Sequence, residues 1–292
     1  MSNTSYLTCA WHPDGKQIAG SGAAPGTIIW GADGLRKRKV SGVEWQWSDD
    51  GKLSASVLGE FITVWDADGT AVARVELVGQ PKVLAWQPQN QTLAIRTADR
   101  ISLWKPLSEP KPLVVSGGAI PKSIDFRSGG GLAWSPDGRQ LAFGVERSRE
   151  ERTWEIQILN LADREVVATH AGRNGQILAL AWSPDGRQLA VCREEPNVCL
   201  YDGKTGRMIR ELTGHGATVN TVAWLPDGTR IATGSADGLV KVWDSLTGRA
   251  TVTFDLGSVV RHVAWSRDGS SLAAAAENGT IRAWDIGSGK SD

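Results

Sequence analysis

The string Ala-Trp-Ser-Pro-Asp-Gly-Arg-Gln-Leu-Ala stands twice in this chain, at residues 133–142 and 181–190. Looser copies run through the whole length, each centred on a tryptophan: Trp11, Trp47, Trp86, Trp134, Trp182, Trp224 and Trp265. They lie 36 to 48 residues apart. A period of that size means one supersecondary unit copied along the chain, each copy unable to bury its apolar surface alone. It overrides the expectation that 292 residues divide into two domains of about 150 each. The reading is one domain over residues 1–292, with units at 6–40, 43–77, 82–116, 131–170, 177–212, 219–256 and 259–286.

The sixth unit shows the plan most clearly. Val219 to Trp224 is apolar on both faces, as a strand between two neighbouring sheets must be. Pro226-Asp227-Gly228 then turns the chain: proline fixes φ, the Asp side chain bonds its own backbone, and glycine accepts positive φ. Arg230 to Gly234 forms a second strand, Ala236-Asp237-Gly238 a hairpin turn, and Leu239 to Trp243 a third strand. Ala250 to Leu256 reads as a more polar outer strand. Four short strands joined by tight turns make an antiparallel meander.

One such sheet cannot cover both its faces, but seven packed radially cover one another. Tryptophan is the filler. The chain has 14, of which seven end first strands and five more, Trp30, Trp65, Trp104, Trp243 and Trp284, end third strands. Trp45 stands at a first-strand position that is Cys, Leu or Val elsewhere, so it is assigned to the core. Trp154 fits no position of the repeat.

In order, Gly214-His215, Trp224, Asp227-Gly228, Ile231-Ala232-Thr233-Gly234, Asp237-Gly238 and Val242-Trp243-Asp244 resemble a WD repeat. The resemblance covers all seven units, and Trp-Asp itself closes units two, six and seven. It implies an all-β, seven-bladed WD-type β-propeller. It also implies a buried hydrogen-bonded tetrad in unit six, formed by His215, Thr233, Asp237 and Trp243. Other units depart from that pattern, with Asn278 and Ala274 in unit seven and Ala24 and Gly20 in unit one. A related propeller family, the periplasmic Trp-Ser-Pro-Asp-Gly type, fits less well, because third strands here end in Trp-Asp and residues 1–5 do not read as a secretory signal. The implied function is a non-catalytic platform for a protein or peptide, as scaffold, adaptor or sensor module of a larger assembly. The alternative is an enzyme or small-molecule binder using the mouth of the central channel.

Counting strands leaves unit seven with three, because residues 287–292 have poor strand propensity and residues 1–5 are too few to supply an outer strand. Its third strand, from Thr280 to Asp285, is therefore expected as an exposed edge, open to strand addition. A longer polypeptide, an incomplete blade and a strand donated by a partner all fit that edge.

Against the repeat, unit four is too long. The hairpin from Glu146 to Trp154 has six extra residues, and the connection into the unit carries Phe126, Arg127 and several glycines. Both belong to loops of one face. Long loops on a rigid scaffold are where function concentrates. Trp154 and Phe126 are candidate aromatic anchors, with Arg127, Arg147, Arg149 and Arg152 as a charged rim. The competing reading is a solvated hairpin whose Trp154 folds back over its own blade. Around the channel on the same face, Arg96, Asp99, Arg193, Glu194, Asp237 and Asn278 lie in or beside hairpin turns, either as a polar peptide-binding rim or as solvated turn residues.

Thirty-two basic and 32 acidic residues cancel, which gives no steering onto nucleic acid or an anionic membrane. No run of 18 apolar residues exists. The three cysteines, Cys9, Cys192 and Cys199, are expected as buried reduced thiols in the cytoplasm, with Cys192 and Cys199 on adjacent strands of one hairpin. No phosphate loop, zinc-protease or nucleophile-elbow motif occurs, and no metal or cofactor is expected. Of the remaining histidines, His12 replaces a turn serine and is expected to be exposed, while His170 and His262 lie in or beside connections.

Overall fold

The computed structural model describes residues 6–22, 26–31, 33–97, 100–117, 131–148 and 153–286. Among these, every regular element is a strand, and the strands form seven antiparallel meanders. Six have four strands. Blade six runs Val219–Trp224, Arg230–Ser235, Leu239–Asp244 and Ala250–Asp255, as its turns and alternation predict. Blade seven has three, Val260–Trp265, Ser271–Ala276 and Ile281–Asp285, and the last of these pairs on one side only.

The turn after each inner strand explains why Ser-Pro-Asp-Gly recurs. In blade five the Ser183 hydroxyl donates to Asp185 Oδ1 at 2.6 Å, and Arg187 N–H donates to the same oxygen at 3.0 Å. Ser183 Oγ accepts Gln188 N–H at 2.9 Å, and Gly186 completes the turn at φ +71°. Blades two, four and seven repeat the network at Ser48/Asp50, Ser135/Asp137 and Ser266/Asp268. The serine hydroxyl holds the carboxyls of Asp137, Asp185 and Asp268 below their ordinary range. His12, expected to be exposed in place of this serine, is partly buried instead. Its ring meets Trp47 edge-on at 4.7 Å, and its Nε2 lies 3.2 Å from Gly51 O, so the wider ring fills the seam between blades one and two.

The inner strands close a ring. Each touches the inner strand of the next blade, and Val260–Trp265 of blade seven touches Tyr6–Trp11 of blade one. Seven apolar clusters of described residues lie one at each seam. Five of them hold eight to twelve fully buried side chains. The two flanking blade one are smaller: Cys9, Ile18, Ala273 and Ala275 on one side, Ala19, Ile29 and Trp45 on the other.

The inner-strand tryptophans do more than fill space. Trp86 Nε1 donates to Gln46 O at 3.2 Å, Trp134 to Ala85 O at 3.0 Å and Trp182 to Ala133 O at 3.3 Å. Trp224 donates to Ala181 O at 3.0 Å and Trp265 to Ala223 O at 3.2 Å. Every acceptor is the residue just before the tryptophan of the preceding blade. The ladder stops at blade one, where the buried Nε1 atoms of Trp11 and Trp47 meet no partner among the described residues.

Trp182→Phe and Trp47→Phe remove the same ring volume, but only the first removes an inter-blade hydrogen bond. The first substitution is expected to cost about 1 kcal/mol more than the second in denaturant unfolding. Equal losses would contradict the ladder.

Candidate interaction surfaces and the central channel

Blade four is long because its extra residues continue the strands. Gln140–Ser148 and Thr153–Asn160 stay paired through Glu146↔Trp154 to Ser148↔Thr153, and Val166–Asn174 runs alongside as far as Thr153↔Asn174. Trp154 is therefore a strand residue, and the reading of it as an exposed anchor is corrected. It is 4% exposed and packs with Ile156, Ile177 and Trp182 at the seam with blade five, because strand alternation points it inward. Arg147 lies in the second strand of this blade, with its side chain outside the described set. Asp99, Phe126, Arg127, Arg149 and Arg152 lie outside the described residues.

Arg96 and Arg193 are a second correction. Expected on a solvated rim, both are 1% exposed. Arg96 Nη1 donates to Gly131 O at 2.9 Å and Nη2 to Gly144 O at 2.8 Å, fastening blade three to blade four. Burial draws its guanidinium down to about 10. Arg193 Nη1 lies 3.4 Å from both Trp154 O and Gly175 O, gripping the same blade from blade five. The blade that departs from the repeat is thus held from both sides by arginines that its neighbours extend. Glu194 remains exposed beside them.

At the axis, the inner strands enclose a cavity of about 430 Å³. Each blade contributes the residue three before its tryptophan: Thr8, Val83, Gly131, Ala179, Thr221, His262 and, from blade two, Glu44. Glu44 is the only acid at this position. Its φ is +55°, a left-handed conformation that costs a residue other than glycine about 1–3 kcal/mol. A bulge produces it: pairing passes from Val43↔Val57 to Gln46↔Ala55, so Glu44 and Trp45 share Ser56. Buried bonds hold the bulge in place. Trp45 N–H donates to Ser21 Oγ at 3.2 Å, Ser21 and Thr27 hydroxyls meet at 2.8 Å, and Thr27 donates to Gly42 O at 3.0 Å. Withdrawal from water pushes the Glu44 carboxyl up to about 7. His262 lines the same cavity with Nδ1 3.7 Å from Cys9 Sγ, across the seam between blades seven and one. Burial takes His262 down to about 4 and Cys9 up to about 12, so both are neutral at pH 7. The signal for Glu44 was present in the sequence, as one acid in an otherwise uncharged register of the repeat.

On blade six, Trp243 Nε1 donates to Thr233 Oγ1 at 2.8 Å, Thr233 Oγ1 lies 2.8 Å from His215 Nε2, and His215 Nδ1 lies 2.9 Å from Asp237 Oδ2. The Thr233 hydroxyl, accepting from the tryptophan, also lies 3.4 Å from Lys241 O, so it links the histidine to the third strand as well as to the indole. Desolvation keeps His215 below its ordinary value, partly offset by Asp237. Asp237 also accepts Gly216 N–H at 2.8 Å and Leu239 N–H at 2.9 Å, tying hairpin and inter-blade connection together. Residues 206–244 and 250–285, which contain this network and blade seven, match the WD domain, G-beta repeat family. Residues 145–215 match the Anaphase-promoting complex subunit 4 WD40 domain. Both matches support a WD-repeat family. No curated protein matches it at a significant level.

The WD repeat as a sequence unit is staggered by one strand from the blade. The two matched stretches include outer strands Met208–Leu212 and Ala250–Asp255 of the preceding blades, and end with the third strands of blades six and seven. The last matched stretch ends with the third strand of blade seven, which has three strands among the described residues. WD-repeat propellers typically serve as protein-interaction platforms and are generally non-catalytic. Among the described residues, no group of three or more His, Cys, Asp or Glu side chains could hold a metal ion.

Trp154→Ala is expected to lower unfolding free energy by about 3–5 kcal/mol, as for other buried tryptophans. A loss below about 1 kcal/mol in denaturant unfolding would contradict its buried position. The lowered value of His262 has a definite sign. The unfolded chain takes up a proton near pH 6.5 and the folded chain only near 4, so stability is lost as pH falls through that window. The difference in melting temperature between wild type and His262→Gln should shrink from pH 7 to pH 4.5. A pH-independent difference would contradict it.

Proposed function

We propose that this protein is a non-catalytic platform that binds another protein or a peptide, serving as scaffold, adaptor or sensor module of a larger assembly. The observation that supports this most strongly is the clamp on blade four. Arg96 and Arg193 reach into it from blades three and five, and its second, third and outer strands extend together. Irregular surface on a rigid support is the usual placement of a binding site. The residues we assign to it are those that the repeat sets apart, Phe126, Arg127, Arg147, Arg149 and Arg152 of the unit-four insertions, together with Asp99 and Glu194 of neighbouring hairpin turns. Mixed charge there suits a polar peptide or protein rim better than a nucleic acid or a membrane.

A second contact of the same kind is the edge strand Ile281–Asp285. Among the described residues no further strand pairs along its outer side, and Arg282 and Ala283 are exposed. It offers a partner a template for β-strand addition. Three buried cysteine thiols, none of them in a disulfide, are compatible with a reducing cytoplasm, where we place the protein.

The test is affinity capture with crosslinking from the native cell, comparing wild type with Arg147→Ala/Arg149→Ala/Arg152→Ala. The triple variant should keep its melting temperature and lose at least about tenfold of the enrichment of a wild-type partner, the scale of lost interface contacts. An unchanged set of partners would contradict this assignment.

A further inference from the structure

Glu44 stands alone in the wall of the central cavity. The other charged side chains there are matched: Arg261 by Glu277 at 2.9 Å, and Asp49 by Arg267 at 3.4 Å. His262 is neutral beside Cys9. No described residue hydrogen-bonds or pairs with the Glu44 carboxylate. Thr8 is 3% exposed, lines the same cavity, and has a hydroxyl oxygen with no partner among the described residues. Asn220 uses its side-chain N–H on Val260 O at 2.8 Å, leaving its amide oxygen as an acceptor. Between these polar groups the wall is apolar, with Val83, Leu84, Ala179 and Leu180.

Such a wall selects its ligand by charge and shape. A neutral guest would leave a desolvated carboxylate unmatched, and an anion would be repelled. A hard divalent metal needs six or more oxygen ligands, usually several of them carboxylates, and only one unmatched carboxylate is present. A nitrogen cation with an alkyl stem satisfies all three features: the charge, the spare oxygen acceptors and the apolar wall. We infer that the central channel binds a small organic cation, an alkylammonium or alkylguanidinium, with Glu44 as its counter-ion.

The backbone supports a built site. Glu44 is kept in its left-handed conformation by the Ser21–Thr27–Gly42 hydrogen bonds and by Trp45 packed against Trp47 and Trp65. Strain fixed by surrounding structure is the mark of a preorganised group. Titrating near 7, the carboxyl is charged in mildly alkaline solution and mostly neutral below pH 6. This inference is independent of the platform reading, since the variants that test it leave the unit-four insertions untouched.

The cation could be a free small molecule or a basic side chain on another chain, and two probes separate these sources. Calorimetry at pH 8 uses n-butylguanidinium chloride, acetyl-Gly-Arg-Gly-amide, and n-butanol as the uncharged control. At least one cationic probe should bind saturably and n-butanol should not. Tighter binding of the peptide identifies a basic side chain, and binding of n-butylguanidinium alone identifies a small molecule. Glu44→Gln keeps the shape and should weaken binding at least tenfold, while its melting temperature at pH 8 equals or exceeds that of wild type. Lowering the pH to 5.5 should weaken wild-type binding about tenfold or more, from the fraction of carboxylate lost. The same step should leave the variant unaffected, which separates Glu44 from Asp49, Arg261 and His262, the other ionisable groups facing the cavity. No saturable binding of either cationic probe, or equal affinity in Glu44→Gln, overturns the inference.

Discussion

A single indole N–H, reaching from the end of one inner strand to the backbone of the blade before it, sets the geometry on which the remaining structure depends. The bond runs in one direction around the ring, from Trp265 back to Trp86, and fixes each of blades three to seven against its predecessor. A buried carbonyl at the crowded axis needs a donor, and a large flat donor also fills the wedge between two twisted sheets. The same side chain therefore provides volume and direction. Apolar clusters at each seam then supply most of the burial, and the Ser-Asp turn returns the chain to the next strand in register.

Where the ladder is interrupted, other contacts take over. Blade one lacks the indole bond at both seams and has the two smallest apolar clusters. The seam with blade two is held by Ser21, Thr27 and His12, and the seam with blade seven by the neutral Cys9–His262 pair. The ring is closed, but it is not uniform. The buried arginines of blades three and five both reach into blade four, and the tetrad lies in blade six.

Much of this was legible because a repeat acts as a ruler. Unit six could be parsed from Pro226-Asp227-Gly228 and Asp237-Gly238, since turns depend on local backbone chemistry that sequence carries directly. The three-stranded last blade followed from counting. What could not be read were contacts between units. Arg96 and Arg193 have the composition of a rim, and only the approach of Gly131, Gly144, Trp154 and Gly175 makes them inter-blade fasteners. Trp154 read as a loop residue because an insertion looks the same in sequence whether it adds a loop or lengthens a ribbon. Glu44 was overlooked for another reason. Its oddity lies in the register shared by seven inner strands, which becomes meaningful once that register is seen to line the channel. Both Glu44 and Trp45 break the pattern of their strand, and local conflict of this kind is expected at sites kept for something other than stability.

The uneven fastening of the ring has a direct readout in native-state amide hydrogen exchange, resolved by blade. Strands Gln17–Gly22 and Thr27–Gly31 of blade one should exchange through an opening of lower free energy than Arg230–Ser235 and Leu239–Asp244 of blade six. The expected gap is about 1–2 kcal/mol, the scale of two absent inter-blade hydrogen bonds. Equal protection in the second and third strands of these two blades would contradict the claim that the tryptophan ladder governs how the blades are held together.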